Sequence, residues 1–310
     1  MLKYILKRIG FMIVTLFVIT VTTFYLMHTV PGDPLGKMAQ RNLPPQVRAN
    51  FEAKYGLNEP VHKQLMMFLK NFFTDGDLGE SIIYPGMKVT STIKKNAPIS
   101  AKIGFSSLVV GVFIGILFGI IAALNRNRWP DYVIIFLAIV GVTVPSFVLA
   151  PLLQYVFSVK LKLLPAYGWG SKLSWVLPMI ALSFGTIATY ARYMRSSVLE
   201  VINSDYILTA EAKGVSYGGV IRKHVLRNAI IPSLTILGGQ ISGIFAGSFV
   251  IEKIFSIPGL GFYLVKSVSD MDFPMIVGTT VFFGFLFLVA QLVVDILYGI
   301  VDPRIKLSED

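Results

Sequence analysis

The sequence predicts an all-α, polytopic membrane protein with six transmembrane helices. Of its 310 residues, 54% are hydrophobic and only 15% are charged, whereas soluble domains carry roughly a quarter charged residues. The mean hydropathy is +0.69, and the apolar residues form long blocks instead of following a strand or surface-helix period. Blocks of about 20 residues match the hydrocarbon thickness of a bilayer, so lipid is the predicted environment for most of the chain.

The predicted spans are apolar blocks that must be helical in lipid, because an α-helix satisfies its own backbone hydrogen bonds. They cover residues 9–30, 99–124, 132–159, 174–191, 232–252 and 274–300. Proline interrupts the helical hydrogen bonding, and four prolines within or at the ends of these blocks predict kinks: Pro145, Pro151, Pro178 and Pro232.

The first block follows a basic start, as a secretory signal peptide does. Lys3, Lys7 and Arg8 precede it, but the apolar stretch from Ile9 to about Val30 is too long for a signal sequence. No small-x-small cleavage site follows. The sequence therefore predicts a retained first transmembrane helix.

Basic residues in the short connections predict that both termini are cytoplasmic. Lys and Arg concentrate on the cytoplasmic side of membrane proteins. With the N-terminus inside, the cytoplasmic segments hold Lys3, Lys7, Arg8, Arg126, Arg128, Arg192, Arg195, Lys213, Arg222, Lys223, Arg227, Arg304 and Lys306. The short outer loops hold fewer. The net charge of +11 follows from this bias. Membrane lipid is therefore a predicted partner, and nucleic acid is not.

The predicted organisation has three parts. Residues 1–30 form the N-terminus and first helix, residues 31–98 an extracytoplasmic domain, and residues 99–310 a membrane core with a cytoplasmic segment at 192–231. Helical patterns occur at 46–55 and 61–73, where Val61, Leu65, Phe68, Leu69 and Phe72 share one face. We expect a small ordered cap; the alternative is an amphipathic helix that lies on the membrane surface.

The cytoplasmic segment carries start and stop signals for two short helices. Ser204, with Asn203 and Asp205, offers an N-cap, and Gly214 allows the left-handed conformation that ends a helix. Ser216 can cap a second helix. A protruding helix pair of this kind fits a groove on a partner protein.

The composition disfavours several function classes. The chain has no cysteine, and its three histidines are far apart, so thiol chemistry is excluded and no metal or cofactor site is predicted. It lacks the Gly-x-x-x-x-Gly-Lys-Ser/Thr phosphate loop, so any ATP hydrolysis belongs to another subunit. The span interiors hold almost no carboxylates, which weighs against an ion-coupled carrier and a membrane-embedded enzyme. Glu252 lies near a span end, within predicted reach of lipid headgroups.

Two spans carry small residues at every fourth position. Gly111, Gly115 and Gly119 line one face of the second span; Gly239, Gly243 and Gly247 line one face of the fifth. Helix packing explains such faces. For the fifth span a pore-lining role stays open as well, and the candidate translocation path comprises Gln240, Ser242, Gly243, Gly247 and Ser248.

Several motifs resemble the oligopeptide and dipeptide branch of ABC importer permeases. Residues 205–214, DYILTAEAKG, are similar to the cytoplasmic coupling loop of these permeases, and 221–232, IRKHVLRNAIIP, is typical of the peptide branch. Residues 252–261, EKIFSIPGLG, resemble its outer loop after the fifth helix, and 295–305, DILYGIVDPRI, its C-terminal ending. The long first outer loop, with VPGDP at 30–34 and YGLN at 55–58, resembles the B-type permease.

The resemblance implies a type I ABC importer permease fold in a bacterial inner (plasma) membrane, and a set of partners. These are a second homologous permease, two ATP-binding subunits at the cytoplasmic face and an extracytoplasmic peptide-binding protein. The implied ATPase-coupling residues are Asp205, Ala210, Glu211, Ala212, Lys213, Gly214, Arg222 and Arg227. Import of dipeptides, nickel or another small solute remains an alternative, and a basic loop that contacts anionic lipid is the alternative for the coupling segment.

Overall fold

The described chain is almost entirely helical. The structure, a computed structural model, describes residues 2–29, 45–233, 236–237, 239–241 and 248–301. The only extended pairing within these residues is one antiparallel bridge between Glu80 and Lys88. The helices are α1 (Leu2–Thr29), α2 (Pro45–Tyr55), α3 (Val61–Asp75), α4 (Val89–Leu124), α5 (Trp129–Thr143), α6 (Ser146–Leu153), α7 (Val176–Ile202), α8 (Asp205–Ala212), α9 (217–229), α10 (Phe249–Ile254), α11 (Leu260–Asp270) and α12 (Phe273–Val301).

Four helices of the described chain are long and apolar enough to cross a membrane, and a bent pair makes up to five. α1, α4, α7 and α12 correspond to the first, second, fourth and sixth predicted spans. The predicted fifth span, 232–252, includes residues 234, 235, 238 and 242–247, which lie outside the described residues. α4 has 36 residues and begins at Val89, well before the predicted start at 99. At 1.5 Å per residue it is about 54 Å long, so it extends beyond the bilayer core.

The third predicted span is broken in the middle. α5 ends at Thr143, α6 begins at Ser146, and the two helices meet at an angle of 110°. Val144 is extended, with φ −85° and ψ 115°, as expected for a residue that precedes proline. The kink predicted at Pro145 is therefore confirmed, and it is sharper than a simple bend. α6 continues as a π-helical stretch, Gln154–Lys160.

α4 and α7 form the central seam of the molecule through the glycine face of α4. A methyl group added at Gly115 would lie 2.6 Å from Cβ of Tyr190 and 2.8 Å from the backbone oxygen of Ile187. Additions at Gly111 and Gly119 would come equally close to α7. The helix-packing interpretation of these three glycines is confirmed: without side chains, they let the two backbones approach closely.

The cap, residues 45–88, packs on the ends of α1 and α12. The apolar face of α3 is the predicted one: Leu65 is buried, and Val61, Phe68 and Leu69 pack with it against Phe24 of α1 and against Val277 and Val281 of α12. A hydrogen bond between His28 Nε2 and Gln64 Oε1, 3.1 Å long, also joins α1 to α3. The face is covered by the chain itself, in line with an ordered cap rather than a helix that lies on lipid.

Asp272 ties the cap to the start of α12. Its carboxylate accepts hydrogen bonds from the Ser81 hydroxyl and from the Ile82 N–H, at 3.1 Å. The Asp272 carbonyl also accepts from the Ile276 N–H in the first turn of the helix. The cap is thus held at two places, by the apolar face of α3 and by this polar link.

The predicted position of Glu252 near lipid headgroups is wrong. Glu252 is fully buried, and its Oε2 accepts a 3.0 Å hydrogen bond from the Phe262 N–H at the start of α11. Ser100 Oγ on α4 accepts from the Leu260 N–H at 2.8 Å. A side chain at Gly259 or Gly261 would collide with the Glu252 carboxylate. The Pro-Gly-Leu-Gly sequence folds around this carboxylate, which explains why it is not free to reach the membrane surface.

Candidate functional site

The 192–231 segment contains the predicted pair of short helices, and its first part, through Ile202, belongs to α7. α8 begins after Ser204, whose carbonyl accepts from the Ile207 N–H at 3.0 Å. The Ser204 hydroxyl donates backwards to the Val201 carbonyl, so its predicted side-chain cap is not formed. α9 runs as one helix through a π-helical turn, Val220–Val225.

α8 ends as the sequence predicts, with Gly214 in the left-handed region at φ +77°. The Gly214 N–H donates to the Glu211 carbonyl at 2.9 Å, and the Val215 N–H donates to the Ala210 carbonyl at 3.2 Å. These two bonds form the Schellman ending, in which a left-handed residue satisfies the last free carbonyls of a helix. A side chain at Gly214 would meet nothing within 4 Å, so the glycine is required by its backbone angle and not by space.

The inner face of the α8–α9 pair packs against the end of the α4–α7 seam. Ile207 of α8 and Val225 of α9 are almost completely buried, together with Met194 and Val198 of α7 and Ala123 of α4. Burying one such aliphatic side chain stabilises a fold by roughly 1.5–3 kcal/mol. The pair is therefore firmly docked on the membrane helices and is not a loose loop.

The outer face of the α8–α9 pair is exposed and carries most of the predicted coupling residues. Ala210 is the exception, since it is buried in the cluster that holds the pair on the membrane helices. The exposed ones are Asp205, Glu211, Ala212, Lys213, Gly214, Arg222 and Arg227. Two large side chains that the sequence argument did not single out accompany them: Leu208 and Tyr217, which are 62% and 64% exposed. Acidic, basic and apolar side chains are thus all exposed on the α8–α9 pair.

A cavity of about 360 Å³ opens where α5, the bend and α7 meet. Its polar lining comes from Ser146 just after the bend, from Thr186 and Thr189 of α7, and from Gln240. The other lining residues are Gly141, Val142, Val144, Pro145, Leu149, Ala181, Leu182, Phe184 and Gly185. None of these lining residues carries a charge, so the described wall offers hydroxyl, amide and apolar contacts.

Of the proposed path residues of the fifth span, the structure describes Gln240 and Ser248. Gln240 lines the cavity, whereas Ser248 is buried and lies one turn before Glu252, whose N–H donates to the Ser248 carbonyl at 2.8 Å. Ser242, Gly243 and Gly247 lie outside the described residues. Thr186 and Thr189 were not predicted from the sequence. Their signal is a polar pair, three residues apart, on an otherwise apolar span.

Asp131 and Arg195 form a second feature that the sequence argument missed. Arg195 Nε lies 2.6 Å from Asp131 Oδ1, and Arg195 Nη2 lies 2.8 Å from Asp131 Oδ2. The Asn127 N–H adds a third bond to the carboxylate at 3.0 Å, and Asp131 is only 3% exposed. Both residues fall just outside the predicted spans: Arg195 was assigned to the cytoplasmic segment, and no role was predicted for Asp131. The structure places both inside helices, as a bidentate ion pair between α5 and α7.

Apolar helices around a cavity whose described lining is uncharged, with a docked helix pair at one end, have the architecture of a multi-pass membrane permease. Residues 115–307 match the family described as binding-protein-dependent transport system inner membrane component, and residues 1–103 match the corresponding N-terminal family. The chain belongs to this family of ABC transporter permeases, whose members are membrane components and are not themselves catalytic.

Full-length relatives carry peptide-transport names. The chain is 44% identical to the dipeptide transport system permease protein DppB of Bacillus subtilis, over 100% of this chain and 99% of that protein. It is 41% identical to the oligopeptide transport system permease protein OppB of Haemophilus influenzae and 40% identical to OppB of Escherichia coli, over 99% of this chain and 100% of each relative. The resemblance found in the sequence motifs is confirmed.

A solved structure supports the fold independently. The crystal structure of an amino acid ABC transporter with histidines matches with a TM-score of 0.54, over 70% of this chain and 95% of that chain, at 17% identity. At this identity the likeness shows the fold alone. The predicted all-α, type I ABC permease fold is confirmed.

Proposed function

We propose that this chain is one of two homologous permease subunits of an ATP-driven importer of peptides. A binding protein delivers the peptide on the extracytoplasmic side, and two separate ATP-binding subunits act on the cytoplasmic side. The observation that carries the proposal is full-length similarity to peptide permeases. A cavity without charged side chains among its described lining residues suits a substrate of variable side chain.

The cavity and Gln240 form part of the peptide path in this proposal. Hydroxyl and amide groups satisfy the polar backbone of a peptide without selecting one side-chain charge. Ser242, Gly243, Gly247 and Ser248 remain proposed members of the fifth-helix wall, and Thr186 and Thr189 join them from α7. The binding protein then supplies most of the substrate selection.

The α8–α9 pair is the proposed docking site for an ATPase subunit. Its outer face is exposed around Gly214, while its inner face is packed against α4 and α7, so a push on the pair reaches the membrane helices. Population shift between inward- and outward-facing states then requires that ATP favour one state over the other. Both termini and the α8–α9 pair are cytoplasmic in this proposal, and the cap is extracytoplasmic.

Uptake by the reconstituted complex tests the proposal. The chain is co-purified with its partner subunits, placed in vesicles with the binding protein, and supplied with labelled dipeptides, longer peptides or nickel. We expect peptide uptake that requires ATP and is unaffected by collapse of the proton gradient. Recovery of the chain without an ATPase subunit, or uptake that follows a proton gradient and ignores ATP, would indicate an ion-coupled carrier instead.

Dipeptides are the second candidate substrate, because the Bacillus subtilis relative is named a dipeptide permease. The same vesicles separate the two substrates. An excess of dipeptide is added with a labelled longer peptide, and uptake of the label is measured. A fall in that uptake shows that one path and one binding protein accept both. Nickel uptake in the absence of any peptide uptake would replace the peptide proposal.

A further inference from the structure

α5 and α7 touch along one continuous seam between the cavity and the α8–α9 pair. Near the cavity, a methyl group at Gly141 of α5 would lie 2.7 Å from Cβ of Ala188 on α7. Further along, Ile134 of α5 packs with Ala191 of α7. The seam ends at the ion pair between Asp131, which is buried, and Arg195, whose side chain is 26% exposed. Both helices therefore approach closely from the cavity wall to the ion pair.

Arg195 lies between the two places where function is proposed. At 1.5 Å per residue, it is about 9 Å along α7 from Thr189 of the cavity wall and about 11 Å from Ile202, where α7 ends just before α8. Its neighbours Met194 and Val198 belong to the cluster that holds the α8–α9 pair. A shift of that pair acts first on the part of α7 that the ion pair fixes to α5.

The chemistry of this contact points to a register role. An ion pair that is largely shielded from water contributes little net stability compared with apolar packing, and in some proteins such a pair instead fixes the relative placement of two elements. Here the geometry is specific: two parallel N–H···O bonds, which only the planar guanidinium fork of arginine makes. Apolar contact lacks such directional bonds, so it specifies the register of α7 on α5 less sharply.

We infer that Asp131 and Arg195 are positioning residues that lock α5 and α7 into one unit, so that movement of the α8–α9 pair is passed to both walls of the cavity. The inference rests on the proposed function, since it concerns the same coupling. Neither residue lines the cavity. Their effect reaches the substrate only through the helices that they join.

The test compares peptide molecules imported per ATP hydrolysed in reconstituted vesicles. Asp131→Asn keeps the shape of the side chain but removes the charge, and Arg195→Lys keeps the charge but removes the bidentate fork. We expect both variants to assemble and hydrolyse ATP, while the import-to-hydrolysis ratio falls about two- to thirty-fold, the range found for residues that couple distant sites. Asp295→Asn is the matched control, because it breaks the ion pair between Arg8 and Asp295, 2.9 Å long, which joins α1 to α12 away from the seam.

An unchanged ratio in Asp131→Asn and Arg195→Lys overturns the inference, and so does an equal fall in the Asp295→Asn control. If Asp131→Asn does not assemble, Arg195→Lys alone decides by the same criterion. Wild-type uptake is measured first. If the wild type shows no ATP-driven uptake, the proposed function fails; normal wild-type uptake with unaffected variants contradicts only the inference.

Discussion

At the scale of single residues, the decisive positions are those where the fold tolerates only one residue type. Gly115 is the clearest case, because the backbone of α7 occupies the space where a side chain would lie. Gly214 is the opposite case, with open space around it and a backbone angle that strains other residues. Both are glycines in the sequence, and only the structure tells which physical demand each one meets.

Replacing Gly115 by valine should separate α4 from α7. The added carbons would press on the Ile187 backbone, which cannot move aside as a flexible side chain can, and overpacking of this kind costs about 1–3 kcal/mol or more. We expect a lower unfolding temperature of the purified protein in detergent. Gly10→Ala is the control, since nothing lies within 4 Å of that position; equal unfolding temperatures for Gly115→Val and Gly10→Ala would contradict the packing account.

The Asp272 carboxyl is buried just before α12, so its charge should affect the stability of the folded protein. Burial raises the pKa of Asp272, although the hydrogen bonds from Ser81 and from the Ile82 N–H act in the opposite direction. A carboxyl with a raised pKa in the folded state contributes stability at low pH that is lost as the pH rises through that pKa. The neutral form is therefore the better tolerated one in the folded protein.

We expect Asp272→Asn to unfold at the same temperature as the wild type or higher at neutral pH, and to show less pH dependence. Asparagine keeps an acceptor for Ile82 and gains a donor for the Ser81 hydroxyl. Asp272→Ala leaves those groups unsatisfied and should cost about 1–3 kcal/mol. If asparagine destabilises as much as alanine does, the charge itself holds the cap.

At the scale of elements, sequence patterns predicted the helices well where local chemistry decides them. The face of α3, the helix stop at Gly214 and the kink at Pro145 all follow from residues within one or two turns. Contacts between distant segments were not predictable. The sequence places Glu252 at the end of a span, whereas in the structure the loop at Gly259 covers it. Asp131 and Arg195 are 64 positions apart in the chain.

The apolar face of α3 should hold the cap on the membrane helices. Leu65 is buried among side chains of α1 and α12, and replacing such a residue by alanine costs about 2–5 kcal/mol. We expect Leu65→Ala to increase proteolysis and hydrogen exchange of residues 45–88 without affecting α4 or α7. Met66→Ala is the control, since that side chain is 68% exposed; equal protection in both variants would show that the cap is held elsewhere.

At the scale of the whole molecule, the composition and the block lengths predicted the membrane class, and short motifs predicted the family. The location of the cavity was less predictable. Its wall combines the bend at Pro145 with α7 and Gln240, and this combination depends on how α5 lies against α7. The candidate path was placed on the fifth helix because its polar residues stood out there, while Thr186 and Thr189 were hidden in an apolar span.

Orientation in the membrane is testable because the chain has no cysteine of its own. Thr74 on the cap and Ser216 before α9 are both exposed, so single cysteines there should react with a reagent that has access. We expect an impermeant maleimide added to intact cells to label Thr74→Cys and not Ser216→Cys, with both labelled after permeabilisation. The reverse pattern in intact cells would invert the topology.

The central claim is that separate ATPases drive transport through the α8–α9 pair. The most direct measurement is substrate-stimulated ATP hydrolysis together with peptide uptake, in vesicles that hold the complete complex with Gly214→Val or Glu211→Lys. Valine resists the positive φ that ends α8, and lysine reverses a charge on the exposed face; Gly218→Ala, at an open site of ordinary helical backbone, is the control. We predict that both variants insert and bind the binding protein but lose stimulated hydrolysis and uptake, while the control keeps them. Normal hydrolysis and uptake in both variants would contradict the claim.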